Sequence, residues 1–394
     1  MKLFVSPTAR RILALFIGLL TLASVAGWLW IEQLAPTTAD NTGALVVDEP
    51  EPIGREAYDL ALGEAAGQDL DGQTLEEAAR RALEAYEDRL DALAARIASQ
   101  AGVDWRDVFS QLEQDHPPDA SAVLEAYRAE IERQQLFLEP LALLPEPPGP
   151  ATVVANENPI FRRYFSLAMY LEGQLAVTLE AGDGRPDEAS PGDATSSDYL
   201  INHCWACIPP LVAHEVAPGH HVAYSVAATA VPDAAERLAS NRQNVVYHEG
   251  WGLYSEQLML ELGYYDDPAL ELGAVRLLYL RALRAVIDPA LHRGEIDRDD
   301  AIEIYRQKAQ LGADAAAIEV ARHLKDPTLK ASYFIGLQQI LALRHQVLGD
   351  APTATELGDF HHRFLGRPRP IPHIAQEVFG VDLSSAASLG NFPS

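Results

Sequence analysis

The sequence predicts a mainly helical protein, with at most a few short strands and a cleft between two helical parts. Three observations support this fold class. Apolar residues recur at helical spacing through most of the chain, stretches that alternate apolar and polar residues are scarce, and helix-start signals precede several periodic segments. The 394 residues, of which 48% are hydrophobic and 22% charged, are also enough to bury a substantial core.

Residues 1–34 have the pattern of a membrane anchor. Arg10 and Arg11 precede the uncharged apolar segment Ile12–Ile31. Roughly 20 helical residues are enough to cross the hydrocarbon core of a bilayer. Because basic residues flank the amino-terminal side and an acidic body follows, we expect that body to lie outside the cytoplasm, in the periplasm.

A cleaved signal peptide is the alternative interpretation of this segment. Ser24 and Ala26 offer a processing site, and cleavage there would release the protein as a secreted product. The apolar stretch continues beyond that site through Trp28–Ile31, which favours the anchor. Residues 35–52 are rich in Pro, Thr, Asp and Gly and predict a flexible tether.

Two helical parts are predicted after the tether. In the first, residues 53–150, Thr74 and Glu77 have the spacing of a capping box, and apolar residues then repeat at helical spacing. A second helix is predicted over Ser121–Leu138. The proline-rich cluster at residues 144–150 breaks the chain and marks the boundary between the parts.

The second part, residues 151–394, is the predicted catalytic domain. A helix is predicted over Ile160–Glu180, a loop rich in Gly, Pro and Ser over Gly182–Ser197, and a short strand over Tyr199–Asn202. The remaining helices are predicted at residues 233–263, 268–287, 298–311, 313–324 and 330–348.

Charge and cysteine content argue against several classes of protein. With 30 basic and 57 acidic residues the net charge is −27, so the negative surface disfavours nucleic acid as a partner. Cys204 and Cys207 lack the second pair of a four-cysteine zinc site, and Ile208 stands where c-type haem attachment requires His. The two remaining interpretations of these cysteines are a local disulfide and a pair of free thiols.

The segment His214–His221, with the sequence HEVAPGHH, carries the strongest functional signal. Zinc peptidases commonly place two histidines at positions i and i+4 of one helix, with a glutamate after the first as general base. Glu215 follows His214 here, but the i+4 position is Pro218. The usual pattern therefore fails if the helix is unbroken.

Pro218 and Gly219 offer a way to restore the pattern. Proline removes a backbone donor and glycine tolerates unusual torsions, so the pair can form a two-residue bulge. Such a bulge would return His220 to the ligand position, although it could equally deliver His221. In a purely structural interpretation these histidines cap carbonyl groups at a helix end.

A third metal ligand is predicted on the helix that contains Tyr247–Glu256. Glu249 and Glu256 are seven residues apart and share a helical face. Both could be ordinary solvated glutamates, but they lie among large apolar side chains, where an unpaired carboxylate is costly to bury. Metal coordination would explain one of them.

These blocks resemble a known bacterial family. The segments His214–His221 and Glu249–Trp251 are similar to the family called domain of unknown function 885, which is grouped with the gluzincin metallopeptidases. Weaker similarities are Arg281-Ala282, Asp288 with His292, and Ser332-Tyr333 with Gly336. The resemblance spans roughly residues 150 to 370 and implies a helical, gluzincin-like fold.

The resemblance also implies a reaction and a set of site residues. The expected zinc ligands are His214, His220 and Glu249, with His221 as the alternative to His220. Glu215 is expected to act as general base in peptide hydrolysis by metal-activated water.

Three further residues receive weaker assignments. Tyr333 and His292 are the best candidates to donate to the oxyanion, and Arg322 is available for a substrate carboxylate. Tyr333 could instead be a packed core tyrosine, and Arg322 could form a surface ion pair. The chain departs from the family pattern at Arg322-His323, where Arg-Tyr is common.

Two other classes of protein share some of these features. A helical di-metal carboxylate protein needs paired Glu-x-x-His motifs, and Pro218 stands at the required position after Glu215. A catalytically inactive, membrane-tethered metal-binding or interaction domain of the same fold is the second, although Glu215 would not be needed there. The sequence predicts no side-chain preference, no choice between internal and terminal cleavage and no oligomeric state.

Overall fold

The computed structural model describes most of the chain. The described residues are 38–39, 45–46, 50–145, 149–156, 167–171, 173–179, 200–231, 233, 243–366 and 368–385. The chain divides into two compact units, Met1–Pro50 and Glu51–Ser394. In the first unit, strands β1 (Thr38–Ala39) and β2 (Leu45–Val46) pair antiparallel. The predicted anchor, residues 1–34, lies outside the described residues.

The second unit is mainly helical, which confirms the predicted class. Its helices are α1 (Arg55–Ala66), α2 (Gly72–Ala98), α3 (Trp105–Leu112), α4 (Ala120–Leu138), α5 (Ile208–Glu215), α6 (His220–Ala230), α7 (Val245–Glu261), α8 (Pro268–His292), α9 (Arg298–Ala309), α10 (Ala313–Lys325), α11 (Ser332–Leu348), α12 (Ala354–Phe364) and α13 (Ile371–Ile374). Within the described part of the chain, no helix is long and apolar enough to cross a membrane.

Helix α2 shows how the sequence sets a helix start. The Asp71 side chain accepts a hydrogen bond from the Thr74 amide at 2.8 Å, so Asp71 is the N-cap. Apolar side chains at helical spacing, from Leu75 to Leu93, are then buried. The capping box predicted at Thr74 and Glu77 is wrong. The helix begins about one turn earlier, at Gly72, because the Asp71 side chain binds the Thr74 amide.

Helix α8 lies at the centre of the fold. Every residue from Leu272 to His292 is buried, and the helix packs along α2 and against α5, α7 and α11. It extends past the predicted end at residue 287 and contains Pro289. Because α2 precedes residue 150 and α8 follows it, the two predicted parts are packed together. Their division at residue 150 stays a prediction.

Helices α7 and α11 cross at very short range. A Cβ atom added to Gly250 would lie 2.4 Å from the Cα atom of Gly336. No side chain fits at either position, so the two glycines permit the close approach. This contact fixes α7, which carries Glu249, against α11, which carries Tyr333.

A three-stranded sheet replaces part of a predicted helix. Strands β3 (Thr152–Ala155), β4 (Ala168–Leu171) and β5 (Gln174–Val177) have the order β3-β5-β4, with β3 parallel and β4 antiparallel to β5. The helix predicted over Ile160–Glu180 is therefore wrong within its described residues. Gly173 adopts φ +88°, and this left-handed turn folds β5 back on β4.

The strand predicted over Tyr199–Asn202 is also wrong where the structure describes it. Leu200 is helical and Ile201–His203 form a turn of 3₁₀-helix, while Tyr199 lies outside the described residues. A short apolar run cannot distinguish a strand from a buried helical turn by its periodicity alone. The loop predicted over Gly182–Ser197 also lies outside the described residues.

The two cysteines form a disulfide immediately before α5. Cys204 and Cys207 are joined, and Cys207 is the N-cap residue of α5. Their amide-to-carbonyl hydrogen bond, 2.8 Å long, tightens the same turn. Of the two alternatives left by the sequence, the structure therefore has the local disulfide, at the start of the helix that carries His214.

Candidate metal centre

The predicted metal motif lies on two helices. Helix α5 ends at Glu215 and α6 begins at His220, so the predicted bulge within one helix is wrong. A Cβ atom at Gly219 would lie 1.8 Å from the carbonyl oxygen of His214, and only glycine therefore lets the chain turn back over the end of α5. This turn places the His220 ring 4.7 Å from the His214 ring.

Three side chains converge here with the separations of metal ligands. The Nε2 atom of His214 lies 3.3 Å from Oε2 of Glu249, and Nε2 of His220 lies 3.5 Å from the same oxygen. Ligand atoms about 2.1 Å from a tetrahedral zinc ion are themselves about 3.4 Å apart. One ring nitrogen of His214, one of His220 and a carboxylate oxygen of Glu215 also lie within 4.8 Å of one another, so Glu215 is the alternative to Glu249 as the carboxylate that would hold an ion with the two histidines. The residues therefore fit a zinc ion.

His221 has different neighbours. Its Nδ1 atom lies 3.2 Å from the Tyr170 hydroxyl, and its Nε2 atom lies 2.7 Å from the carbonyl oxygen of Gly149. Both ring nitrogens are thus hydrogen-bonded outside the cluster. The geometry favours His220 over His221 as the second histidine ligand.

Glu256 orients His214 from the side opposite Glu249. Its Oε1 atom accepts a hydrogen bond from His214 Nδ1 at 2.8 Å, and Arg281 lies 3.5 Å from the same oxygen. Gly252 makes room for the imidazole, because a Cβ atom there would lie 2.6 Å from Nε2. The sequence indicated that Glu249 and Glu256 share a face. It did not indicate which ring nitrogen each carboxylate would meet.

Burial and the carboxylates set the protonation of the cluster before metal binding. Burial disfavours the His214 imidazolium, but hydrogen bonds to Glu249 and Glu256 outweigh burial and raise the pKa of His214 to about 9. Burial likewise opposes ionisation of Glu249, yet its bonds to His214 and His220 lower the pKa of Glu249 well below the usual range. A metal ion that bound His214 at neutral pH would displace a proton from it.

Glu215 is held next to the two histidines by the sheet. Its Oε2 atom accepts a hydrogen bond from the Tyr170 amide, in β4, at 2.8 Å. Burial raises the pKa of Glu215, although His220 and His214 act in the opposite direction. A raised pKa suits a carboxylate that takes up and returns a proton near neutral pH. The sequence missed Tyr170, because a helix was predicted where β4 lies.

Aromatic rings surround the cluster. Tyr333 stacks beside His214, with ring centroids 5.9 Å apart. Tyr224 packs edge-on against His220 at 5.7 Å and stacks on His248 at 4.7 Å. The sequence indicated Tyr333 and missed Tyr224, although its position one turn after His220 placed both on one helical face.

His292 is not part of this cluster. Its Nδ1 atom accepts a hydrogen bond from the Ile53 amide at 3.3 Å, and its Nε2 atom donates to the His323 carbonyl at 2.9 Å. Its ring stacks on Tyr58. Both ring nitrogens therefore bind backbone groups in this structure, and the catalytic role of His292 stays a prediction.

Arg322 forms an ion pair on its own helix. Its guanidinium lies 3.3 Å from the Asp326 carboxylate, one turn further along α10. The structure therefore contains the surface ion pair that was the alternative interpretation of Arg322. Its substrate-binding role stays a prediction.

The fold and the converging ligands define a class: a mainly helical protein with a candidate mononuclear metal centre between α5, α6 and α7. Residues 21–378 match the family described as bacterial protein of unknown function (DUF885), and the chain belongs to this family. No curated protein matches the chain.

Two of the solved structures that are similar to this chain are described as lipoproteins. The first, a candidate lipoprotein from Colwellia psychrerythraea, has a TM-score of 0.69 and 19% identity over 84% of this chain and 57% of that protein. The second, a candidate lipoprotein of unknown function from Shewanella oneidensis, has a TM-score of 0.66 and 19% identity over 95% of this chain and 68% of that protein. The similarity shows a common fold, and this chain spans little more than half of the Colwellia protein.

Proposed function

We propose that this protein is a zinc-dependent peptidase with a gluzincin-like catalytic site. The observation that carries the proposal is the convergence of His214 Nε2 and His220 Nε2 on Glu249 Oε2, at 3.3 and 3.5 Å. Two imidazoles and one carboxylate are typical of catalytic zinc, because three protein ligands leave a coordination position for water or substrate. Glu215, which a structural zinc site would not need, supports catalysis.

The residues around the cluster supply the proton transfers of peptide hydrolysis. His214, His220 and Glu249 would hold the zinc ion, which would supply a water of lowered pKa and polarise the substrate carbonyl. Glu215 accepts a proton from the attacking water as its oxygen bonds to the carbonyl carbon. Glu215 then gives that proton to the amine nitrogen as the C–N bond breaks. The Tyr170 amide, 2.8 Å from Glu215, holds the carboxylate in place for both transfers.

Tyr333 is the proposed donor to the developing oxyanion. Its ring lies beside that of His214, 5.9 Å from centroid to centroid. Burial and the negative charge of Glu249 raise the pKa of Tyr333, so its hydroxyl keeps the proton at neutral pH. A protonated hydroxyl in a site with little water is an effective donor to an oxyanion.

Cleavage of a mixed peptide library tests the proposed reaction. We expect the zinc-loaded full-length protein to release new amino termini, detected by mass spectrometry, and a chelator to stop the release. If all peptides stay intact after incubation with zinc-loaded protein, the proposed peptidase function is wrong.

Glu256→Gln is expected to weaken zinc binding by roughly 10- to 100-fold, the usual effect of losing the carboxylate that orients a metal-binding histidine. The amide keeps the size of the side chain but removes the negative charge that His214 Nδ1 meets at 2.8 Å. Competition with a chromogenic chelator measures the affinity. Glu261→Gln, at the end of the same helix, is the matched control, and equal affinities for the two variants would contradict the orienting role.

We also propose that the protein is tethered to a membrane with its catalytic domain outside the cytoplasm. The basic pair Arg10-Arg11 and the uncharged segment Ile12–Ile31 support this, and so do the lipoprotein descriptions of the two similar structures. Carbonate-washed membranes should retain the full-length protein. A soluble, shortened product would instead show a cleaved signal.

A further inference from the structure

A second charged cluster lies beside Tyr333 and has no role in the mechanism above. Arg284, on α8, donates from Nε and Nη2 to the two carboxylate oxygens of Glu319, on α10, at 2.8 and 2.6 Å. Lys330 donates to Glu319 at 3.1 Å. The three side chains are at most 12% exposed. A charged network is therefore almost fully buried next to the candidate metal centre.

This network carries one more positive than negative charge. Burial opposes ionisation of Glu319, but Arg284 and Lys330 outweigh it and lower the pKa of Glu319. Burial and the charge of Arg284 lower the pKa of Lys330 to about 8, which still leaves it mostly protonated at neutral pH. An excess buried charge is unfavourable unless a counter-ion pairs with it. The network is therefore suited to receive an anion.

The network also retains hydrogen-bond donors. Among the described residues, Arg284 Nη1 has no hydrogen-bond partner, and the ammonium of Lys330 binds Glu319 alone. A guanidinium edge and an ammonium group together match the two oxygens of a carboxylate. A carboxylate at this point would satisfy both donors and balance the excess charge.

The network is at the right distance from the metal centre for a substrate terminus. The Arg284 guanidinium lies 5.2 Å from the centroid of the Tyr333 ring, which lies 5.9 Å from that of His214. Each residue of an extended peptide spans roughly 3.3–3.6 Å. The path of about 11 Å from the His214 ring to the guanidinium includes about 3 Å of hydrogen bond to the carboxylate and about 2 Å of metal–nitrogen bond, so one or two peptide residues fill the rest.

We propose that Arg284 and Lys330 bind the C-terminal carboxylate of the substrate, so that the protein removes one or two residues from the C-terminal ends of peptides. This inference rests on the proposed peptidase function and specifies its substrate class. Arg322, on α10, adds positive charge near Lys330, which favours an anion at this point. An internal segment of a longer chain would bring no charge to the network and would leave its donors unpaired.

A pair of substrates that differ only at the C-terminus tests this inference. The zinc-loaded full-length protein is incubated with one peptide as its free acid and as its C-terminal amide. We expect kcat/KM for the amide to be at least about tenfold lower, since a buried charge left without its partner is costly. The products of the acid should lack one or two C-terminal residues. Equal cleavage of both, or cleavage far from the terminus, overturns this inference alone, whereas no cleavage of either overturns the peptidase function as well.

Lys330→Met tests the assignment to the network. The variant keeps the Arg284–Glu319 ion pair, so folding should be preserved, and a melting curve checks this. We expect KM for the free acid to rise at least about tenfold with little change in kcat, and KM for the amide to stay constant. Lys325→Met, at an exposed lysine of the neighbouring helix end, is the matched control. Equal losses for acid and amide would show that Lys330 is structural and overturn the inference.

Discussion

His220→Ala is expected to remove the bound zinc and all measurable peptide hydrolysis, whereas His221→Ala should keep the zinc. His220 Nε2 lies 3.5 Å from Glu249 Oε2 in the ligand cluster, and three protein ligands leave no redundancy. His221 binds the Tyr170 hydroxyl and the Gly149 carbonyl instead. Its loss should therefore cost about 1–3 kcal/mol of stability and cause at most a modest fall in hydrolysis.

Zinc per chain and the hydrolysis rate, measured on the same preparations, compare the two histidine variants. Melting curves control for unfolding. Loss of zinc from His221→Ala together with retention in His220→Ala would show that the ligand assignment is wrong, while the peptidase function would survive.

Glu215→Gln should lower kcat by roughly 10²- to 10⁴-fold, the range for removal of a general acid–base group, without loss of zinc. The amide oxygen can still accept the Tyr170 N–H bond, so the side chain should stay in place. It can no longer accept a proton from water. Steady-state kinetics on variants with equal zinc content measure the effect.

Glu113→Gln is the matched control for Glu215→Gln. Burial raises the pKa of Glu113 as it does that of Glu215, but Glu113 lies at the end of α3, outside the cluster. Its replacement should leave hydrolysis unchanged. A zinc-loaded Glu215→Gln protein with nearly wild-type kcat would mean that another group acts as the base.

The helices could be predicted from the sequence because the patterns that indicate them lie within each helix. In α2 the buried apolar residues repeat every three or four positions, and that spacing alone defines a helix with one buried face. The three-stranded sheet could not be predicted in this way. Strands β4 and β5 are four residues each and are stabilised by pairing with each other and with β3, a contact between segments that no local pattern contains.

The residue types of the candidate site were predictable, but their geometry was not. The sequence supplied His214, Glu215 and His220, because His and Glu at short spacing are typical of zinc sites. The position of His220 depends on the helix break at Gly219. Which ring nitrogen of His214 faces Glu249 and which faces Glu256 depends on where α7 lies against α5. These are tertiary features, and spacing alone could not determine them.

Two residues of the family resemblance, Asp288 and His292, stabilise the fold. Asp288 accepts hydrogen bonds from the Tyr58 hydroxyl at 2.7 Å and from the Thr328 amide at 3.0 Å, and it lies 2.5 Å from Nδ1 of His323. His292 binds the His323 carbonyl in the same buried network. Residues that a chain shares with a family can therefore serve to pack helices together, here α1, α8 and α10, and need not take part in a reaction.

A zinc titration of the metal-depleted protein, followed by peptide hydrolysis, tests the central claim most directly. We expect no hydrolysis before zinc is added, a rise in proportion to added zinc, and a plateau at one zinc ion per chain, because the proposed ligands His214, His220 and Glu249 would hold a single ion. Hydrolysis that is independent of zinc, or its absence at every zinc concentration, would contradict the account.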